Sequence, residues 1–275
     1  MSKISLVVSD VDGTLVTTAK ALTDRSRAAV DRLEAEGIGF TVISSRPPFG
    51  LKMLIESLKL RLPMGAFNGA GLVSADLAML DQHELPTDVA GDAIAGFSTR
   101  SIDAWLFTVD HWLVVNPSGD YVRRETATVR TPPIVVDDLR NHLRGACKLV
   151  GASRDFPGLA SCETAMRSAL GDRASVVRSQ PYYLDVTPAG TSKGALLLEL
   201  AQRLGVPTDE IVTLGDMEND VSMFRNSGFS IAMGNATAEV KSAASAVTLS
   251  NDDDGFAEAI ERIVLPRAQG RTGGT

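Results

Sequence analysis

Short apolar runs alternate with amphipathic stretches of helical length at the start of the chain. Ile4-Ser5-Leu6-Val7-Val8 is uniformly apolar and predicts a buried parallel strand over 4–9. An Ala-, Arg- and Glu-rich helix is expected near 24–36, ended by Gly37. Gly39-Phe40-Thr41-Val42-Ile43-Ser44 reads as a second buried strand, and Pro47-Pro48 opens a loop before a helix near 49–59. Met64-Gly65-Ala66-Phe67 predicts a third strand, closed by Asn68-Gly69. Strands alternating with helices in this way point to a parallel sheet built from βαβ units.

The pattern changes from about residue 84. Trp105–Val109 and Trp112–Val115 flank Asp110-His111, which predicts a hairpin with a two-residue turn. Lys148-Leu149-Val150 reads as a strand, with helices near 137–143 and 159–170. Ser175–Arg178 and Tyr182–Val186 read as a strand pair, so an antiparallel α+β unit is expected here. After Pro188-Ala189-Gly190 the first rhythm returns. A helix opens at Lys193, strands follow at 211–214, 229–232 and 246–249, and a helix at 255–264 closes the pattern. The Gly- and Thr-rich tail from Ala268 to Thr275 is expected to be disordered. The fold class is therefore α/β, a doubly wound parallel-sheet (Rossmann-like) core over 1–83 and 187–275, with an α+β cap domain inserted at 84–186.

Composition adds boundaries rather than shape. The 275 residues are 44% hydrophobic and 22% charged, ample for a core and ordinary for a globular protein. A net charge of −7 with no basic block argues against a nucleic-acid partner. No run is long enough to span a bilayer, and no secretory leader is visible, so the expected location is cytoplasmic. Cys147 and Cys162 have no metal-ligand spacing and receive no role. A monomer is the default state, although the edges of the inserted unit could pair two chains.

The candidate chemistry clusters at strand ends, where open α/β sheets bind their ligands. Asp10 and Asp12 directly follow the first strand, and Gly13-Thr14 makes a sharp exit. Alone, this could be a solvated Asp-Gly turn. Leu214-Gly215-Asp216-Met217-Glu218-Asn219-Asp220 again sets acids just past a buried strand, with Asp220 one helical turn beyond Asp216. First-turn acids also stabilise helices by themselves. Carboxylates without nearby His or Cys suit Mg²⁺. Lys193 opens a helix against the macrodipole, which an anionic partner would explain, as would a solvated surface position. Ser44-Ser45-Arg46 ends the second strand with two hydroxyls and a guanidinium that could hydrogen-bond a phosphate, or Ser44 could cap a turn.

Together, and in this order, the four segments resemble the haloacid dehalogenase-like (HAD) phosphatase superfamily: Asp10-Val11-Asp12-Gly13-Thr14, a strand-end Ser44, Lys193, then Gly215-Asp216-Met217-Glu218-Asn219-Asp220. Asn68-Gly69-Ala70, Gly190–Gly194 and Ala232-Met233-Gly234-Asn235-Ala236 are similar to its Cof-type subgroup. The resemblance covers roughly 1–82 and 187–265. One departure is Ser44-Ser45-Arg46 where Thr-Gly-Arg is more usual; the hydroxyl is kept and the backbone freedom of glycine is lost at Ser45.

The resemblance implies a Mg²⁺-dependent phosphomonoesterase acting on small phosphorylated metabolites, sugar phosphates foremost. It makes Asp10 the nucleophile that forms an aspartyl-phosphate and Asp12 the general acid and base, with Ser44 and Lys193 binding the phosphoryl oxygens. Gly13, Ser45, Arg46 and Asn219 are expected around the substrate, and Asp10, Asp12, Asp216 and Asp220 around the metal. His111, Trp112, Arg123 and Arg124 are candidates to face the leaving group, though each also reads as core or solvated surface. A phosphomutase using the same aspartyl-phosphate and a non-catalytic phosphate-ligand sensor are the alternatives.

Overall fold

In the computed structural model, which describes residues 3–269, five parallel strands form the main sheet. Their order is Ala246–Val247, Phe229–Ala232, Ile211–Gly215, Leu6–Ser9, Gly39–Val42. The Leu6–Ser9 strand thus lies between the Ile211–Gly215 and Gly39–Val42 strands, with Val8 opposite Thr213 on one side and Thr41 on the other. All four of its residues are buried. That explains a continuous apolar run rather than an alternating one.

The helices Asp24–Ala35 and Lys193–Leu204 follow the amphipathic pattern of the sequence. The first is capped by Thr23, whose hydroxyl accepts from the Ser26 amide, and buries Ala29, Val30 and Leu33. The second buries Leu196, Leu197, Leu200 and Ala201. The expected closing helix at 255–264 runs further, from Gly255 to Ala268, and contains a π-helical turn over Ile260–Val264. Ala268, expected to open a disordered tail, is therefore helical. The remainder of that expectation, from residue 270 onward, lies outside the described residues.

The chain divides into two compact units. Among the described residues, one comprises 3–44, 53–64 and 193–269, and the other 45–52 and 65–192. The second unit is α+β. Its six-stranded sheet has the order Ala174–Gln180, Tyr183–Pro188, Lys148–Ala152, Asp103–Phe107, Trp112–Val114, Ile134–Val135. All neighbours are antiparallel except the last pair, which is parallel. Leu106, Leu113, Leu149, Leu184 and Val186 on one face pack with Val89, Ala93 and Phe97 of the Thr87–Ser98 helix and with Leu159, Cys162 and Met166 of the Phe156–Leu170 helix. Period-2 alternation puts Trp105, Phe107, Lys148, Val150, Tyr183 and Asp185 on the opposite face.

Several local expectations are corrected. Phe107 pairs with Trp112, so the hairpin loop is the four residues 108–111, closed by the Thr108 amide donating to the His111 carbonyl at 2.8 Å. Val109 therefore lies in the loop. The helix expected near 137–143 is one 3-10 turn, Leu139–His142, because Asp138 caps it and little of it is buried. The helices Thr87–Ser98 and Val122–Val129 and the strands Gly71–Val73 and Met79–Gln82 were not anticipated. No helix among the described residues is long and apolar enough to cross a membrane.

Candidate functional site

The site is built at the carboxyl ends of two adjacent strands. The Asp10 amide donates to the Leu214 carbonyl at 2.9 Å and so continues the ladder between Leu6–Ser9 and Ile211–Gly215 by one residue. Beyond it the chain turns sharply. The amides of Thr14, Leu15 and Val16 all point at the Val11 carbonyl, at 3.4, 3.0 and 3.1 Å. Gly13 makes that turn with φ +98°, and a Cβ there would lie 2.3 Å from Asp216 Oδ2. Glycine is required at this position for both its conformation and its lack of a side chain.

The structure brings Asp10, Asp216, Asp220 and Lys193 together. Lys193 is 1% exposed. Its Nζ lies 2.5 Å from Asp10 Oδ1 and 2.6 Å from Asp220 Oδ1. The other Asp220 oxygen accepts from the backbone amides of Asp216 and Met217, both at 2.9 Å. Asp220 therefore folds its own turn and orients Lys193. Helix Lys193–Leu204 sits close enough to this turn that a Cβ on Gly194 would lie 2.4 Å from the Ser222 carbonyl oxygen. The Gly194 amide donates to Ser222 Oγ at 3.0 Å, and Ser222 Oγ donates to the Asn219 carbonyl at 2.9 Å.

Asp216 is held by residues that sequence reasoning left without a role. Thr14 Oγ1 donates to its Oδ1 at 2.9 Å, and Asn235 Nδ2 reaches its Oδ2 at 3.3 Å and the Gly13 carbonyl at 2.9 Å. Asn235 is in turn fixed by the Asn251 amide, and Asn251 Nδ2 donates to the Val16 carbonyl. Both Thr14 and Asn235 lie inside segments that carried the resemblance, so the signal was present. Lys20 had no such signal. It adopts φ +63° and sets its Nζ 2.8 Å from Asp12 Oδ1.

The remaining candidates are placed as follows. Ser44 is buried just past the Gly39–Val42 strand, where the Ile43 amide donates to the Ser9 carbonyl at 3.0 Å. Asn219 is buried in the turn before Asp220. Ser45 and Arg46 belong to the second unit, where Arg46 Nη1 donates to the Gly50 carbonyl at 3.1 Å. In the same unit Trp112 is a core residue, its ring stacked on Phe107 and its Nε1 bonded to the Thr131 carbonyl. Arg124 lies over the Tyr182 ring and His111 is exposed.

Charge in the first unit's cluster is unbalanced. One carboxylate oxygen from each of Asp10, Asp216 and Asp220 lies within 4.8 Å of the others, all three residues are buried, and Lys193 is the ammonium bonded to two of them. Burial, reinforced by Asp220 and outweighing the Lys193 ammonium, pushes Asp10 up to about 7. Burial and the Asp10 and Asp220 charges hold Asp216 well above the usual carboxylate range. Burial alone would depress Lys193, but the two carboxylates reverse this and raise it. A set of hard oxygens with excess negative charge and no His or Cys fits a hard divalent cation.

Comparison with known proteins agrees with this arrangement. The family model described as haloacid dehalogenase-like hydrolase matches residues 7–260. The chain is 27% identical over 283 residues to the 5-amino-6-(5-phospho-D-ribitylamino)uracil phosphatase YwtE of Bacillus subtilis, covering 94% of this chain and 97% of that protein. It is 25% identical over 236 residues to an HMP-PP phosphatase of Escherichia coli, covering 86% of each. A crystal structure of a haloacid dehalogenase-like hydrolase from Bacteroides thetaiotaomicron superposes with a TM-score of 0.82 at 30% identity, covering 95% of this chain and all of that one.

Proposed function

We propose that this chain, which belongs to the haloacid dehalogenase-like hydrolase family, hydrolyses phosphomonoesters of small metabolites through a covalent phosphoryl intermediate on Asp10. The observation that carries the reading is the buried group of three carboxylates around one lysine at two strand ends. With a divalent cation to offset its excess negative charge, such a group could accept a phosphate dianion beside a carboxylate nucleophile.

Asp10 attacks phosphorus with a carboxylate oxygen, forming the O–P bond as the ester O–P bond breaks. Asp12 gives its proton to the departing alkoxide. As a carboxylate it then takes a proton from water, whose oxygen displaces Asp10 from phosphorus and releases inorganic phosphate. Lys193, fixed by Asp220, offsets the repulsion between the phosphate and Asp10 and stabilises charge on the transferring group. Ser44 donates its hydroxyl to a phosphoryl oxygen. Thr14 and Asn235 hold Asp216 in place.

Mg²⁺ fits this set of hard oxygens: the carboxylates of Asp10 and Asp216 would hold it, with the Asp12 carbonyl and Asp220 in support, and it would supply positive charge that lowers the cost of bringing two anions together. The related phosphatases act on a phosphoribityl pyrimidine and on HMP-PP, and a phosphorylated sugar, sugar alcohol or heterocycle is the substrate class proposed here. Phosphate release from a panel of such esters, with Mg²⁺ and with EDTA, tests the proposal. Metal-dependent release from a few related compounds is expected. No release from any ester by folded protein would overturn it.

A further inference from the structure

The segment Ser45–Lys52 begins directly after Ser44 and is held within the second unit. Its first carbonyl, that of Ser45, accepts a 2.8 Å hydrogen bond from Lys148 Nζ. The next, that of Arg46, accepts from the Phe67 amide at 2.9 Å. Gly50 packs so closely on Val129 that a Cβ there would lie 3.1 Å from Val129 Cγ1. Lys148 is 4% exposed and comes from the middle of the six-stranded sheet. Its ammonium lies 3.5 Å from Asp185 Oδ2 and 4.9 Å from the centroid of the Phe107 ring.

Asp185 is fully buried. Attraction within a buried ammonium–carboxylate pair scarcely repays the loss of hydration, and apolar residues of similar size would serve a sheet face at least as well. The contact to Ser45 gives the pair a use that apolar residues lack. Only a donor can grip a backbone carbonyl, and a charged donor grips it more strongly than a neutral one. The peptide between Ser45 and Arg46 is planar and trans. A carbonyl drawn toward Lys148 therefore turns the Arg46 N–H the opposite way and sets the direction from which the chain leaves Ser44. Ser45 carries a side chain, so fewer backbone conformations than a glycine would have compete with the one that Lys148 selects.

We propose that Lys148, anchored by Asp185, is a positioning residue that fixes the Ser44–Arg46 segment for phosphoryl binding. The inference rests on the phosphatase reading for the role of Ser44, and its test has one readout independent of that reading. The full-length chain is compared with Lys148→Met/Asp185→Leu and with Lys148→Arg. The double exchange removes the ammonium and the carboxylate of this pair together, and a melting temperature near that of the wild type marks the variant as readable.

Hydrogen–deuterium exchange of the peptide covering 43–50 should speed up about tenfold in the double variant, the size of one lost hydrogen bond to a charged group. Peptides elsewhere in both units should not change. With para-nitrophenyl phosphate as substrate and inorganic phosphate as inhibitor, KM and the inhibition constant should each rise about tenfold while kcat moves less than about threefold. Lys148→Arg, which keeps a cationic donor, should restore much of both. Unchanged exchange over 43–50, or wild-type KM and phosphate inhibition in a double variant of unchanged stability, overturns the proposal. Should the double variant melt lower, Asp185→Asn is read instead. It keeps the lysine and loosens its anchor, so the same changes are expected at smaller size, and their absence again overturns the proposal. If the wild type released no phosphate from any ester, the proposed function would fail and the exchange data would still decide this inference.

Discussion

Both units bury charged side chains, and they balance them differently. In the second unit Lys148 faces Asp185, and Glu163 is flanked by Arg178 at 2.8 Å and Arg167 at 2.7 Å. There each of these acids meets at least one cation of its own. In the first unit Asp10, Asp216 and Asp220 gather around Lys193. Balanced buried charge fixes one packing arrangement. Unbalanced buried charge is kept at a cost in stability, and the useful explanation is an ion or ligand that completes it.

The comparison breaks most decisively at Asp10. Asp10→Asn should lower phosphate release by at least about a thousandfold, because the proposed nucleophile is lost. The same exchange removes one of the crowded carboxylates, so the metal-free variant should melt at or above the wild-type temperature at neutral pH. Retained turnover would sink the nucleophile assignment, and a large drop in melting temperature would contradict the excess of negative charge.

Removing a single charge from the second unit should do the reverse. Lys148→Met leaves Asp185 buried without its lysine and should cost about 3 kcal/mol or more in urea unfolding, as breaking a buried pair from one side does. A loss below about 1 kcal/mol, the range of an exposed pair, would mean that the Lys148–Asp185 pair does not behave as a buried one.

A pH series sharpens the contrast. The folded-state pKa of Asp10 is raised from 3.8 to about 7, chiefly by burial. Between those values the folded metal-free protein binds more protons than the unfolded chain, so stability falls as pH rises through that window. Added Mg²⁺ should therefore raise the melting temperature more at about pH 8 than at about pH 5, where protons compete for the same oxygens. Equal shifts by calorimetry at both pH values would count against Asp10 as a metal ligand.

The smallest effect belongs to the second unit's thiol. Burial, aided by Glu84, pushes Cys147 up to about 12, and the residue is fully covered. Iodoacetamide should leave it unmodified in native protein at neutral pH and label it in urea, as read by mass spectrometry. Rapid native labelling would show that this part of the unit opens readily.

The two units also differ in how much of them the sequence reveals. The strand-end acids of the first unit are legible because each follows a buried parallel strand, a pattern local in the chain. That Asp10 and Asp216 share a site needs only that their strands be neighbours, and Leu6–Ser9 does pair with Ile211–Gly215. Lys20 was not legible, since its contact with Asp12 depends on a turn with φ +63° that lysine rarely adopts. The Lys148–Asp185 pair was hidden for another reason. Asp185 is registered opposite Val150 and Lys148 opposite Phe107, so their meeting follows from antiparallel register and not from any spacing along the chain. The Val122–Val129 helix was missed because Tyr121 and Arg130 bound it in left-handed conformations without a side-chain cap, which removes the usual start and stop signals.

The strand order has a further consequence for how the chain is made. The Leu6–Ser9 strand leaves the ribosome some 200 residues ahead of its Ile211–Gly215 neighbour. Residues 65–192 are one continuous stretch and can fold during that interval, as local units do ahead of distant pairings. The acid cluster comes into being only when synthesis has passed Asp220. A chain released before that point carries Asp10 without the lysine and the two carboxylates that surround it in the folded unit, so Asp10 acquires its charge environment long after its own strand has been made.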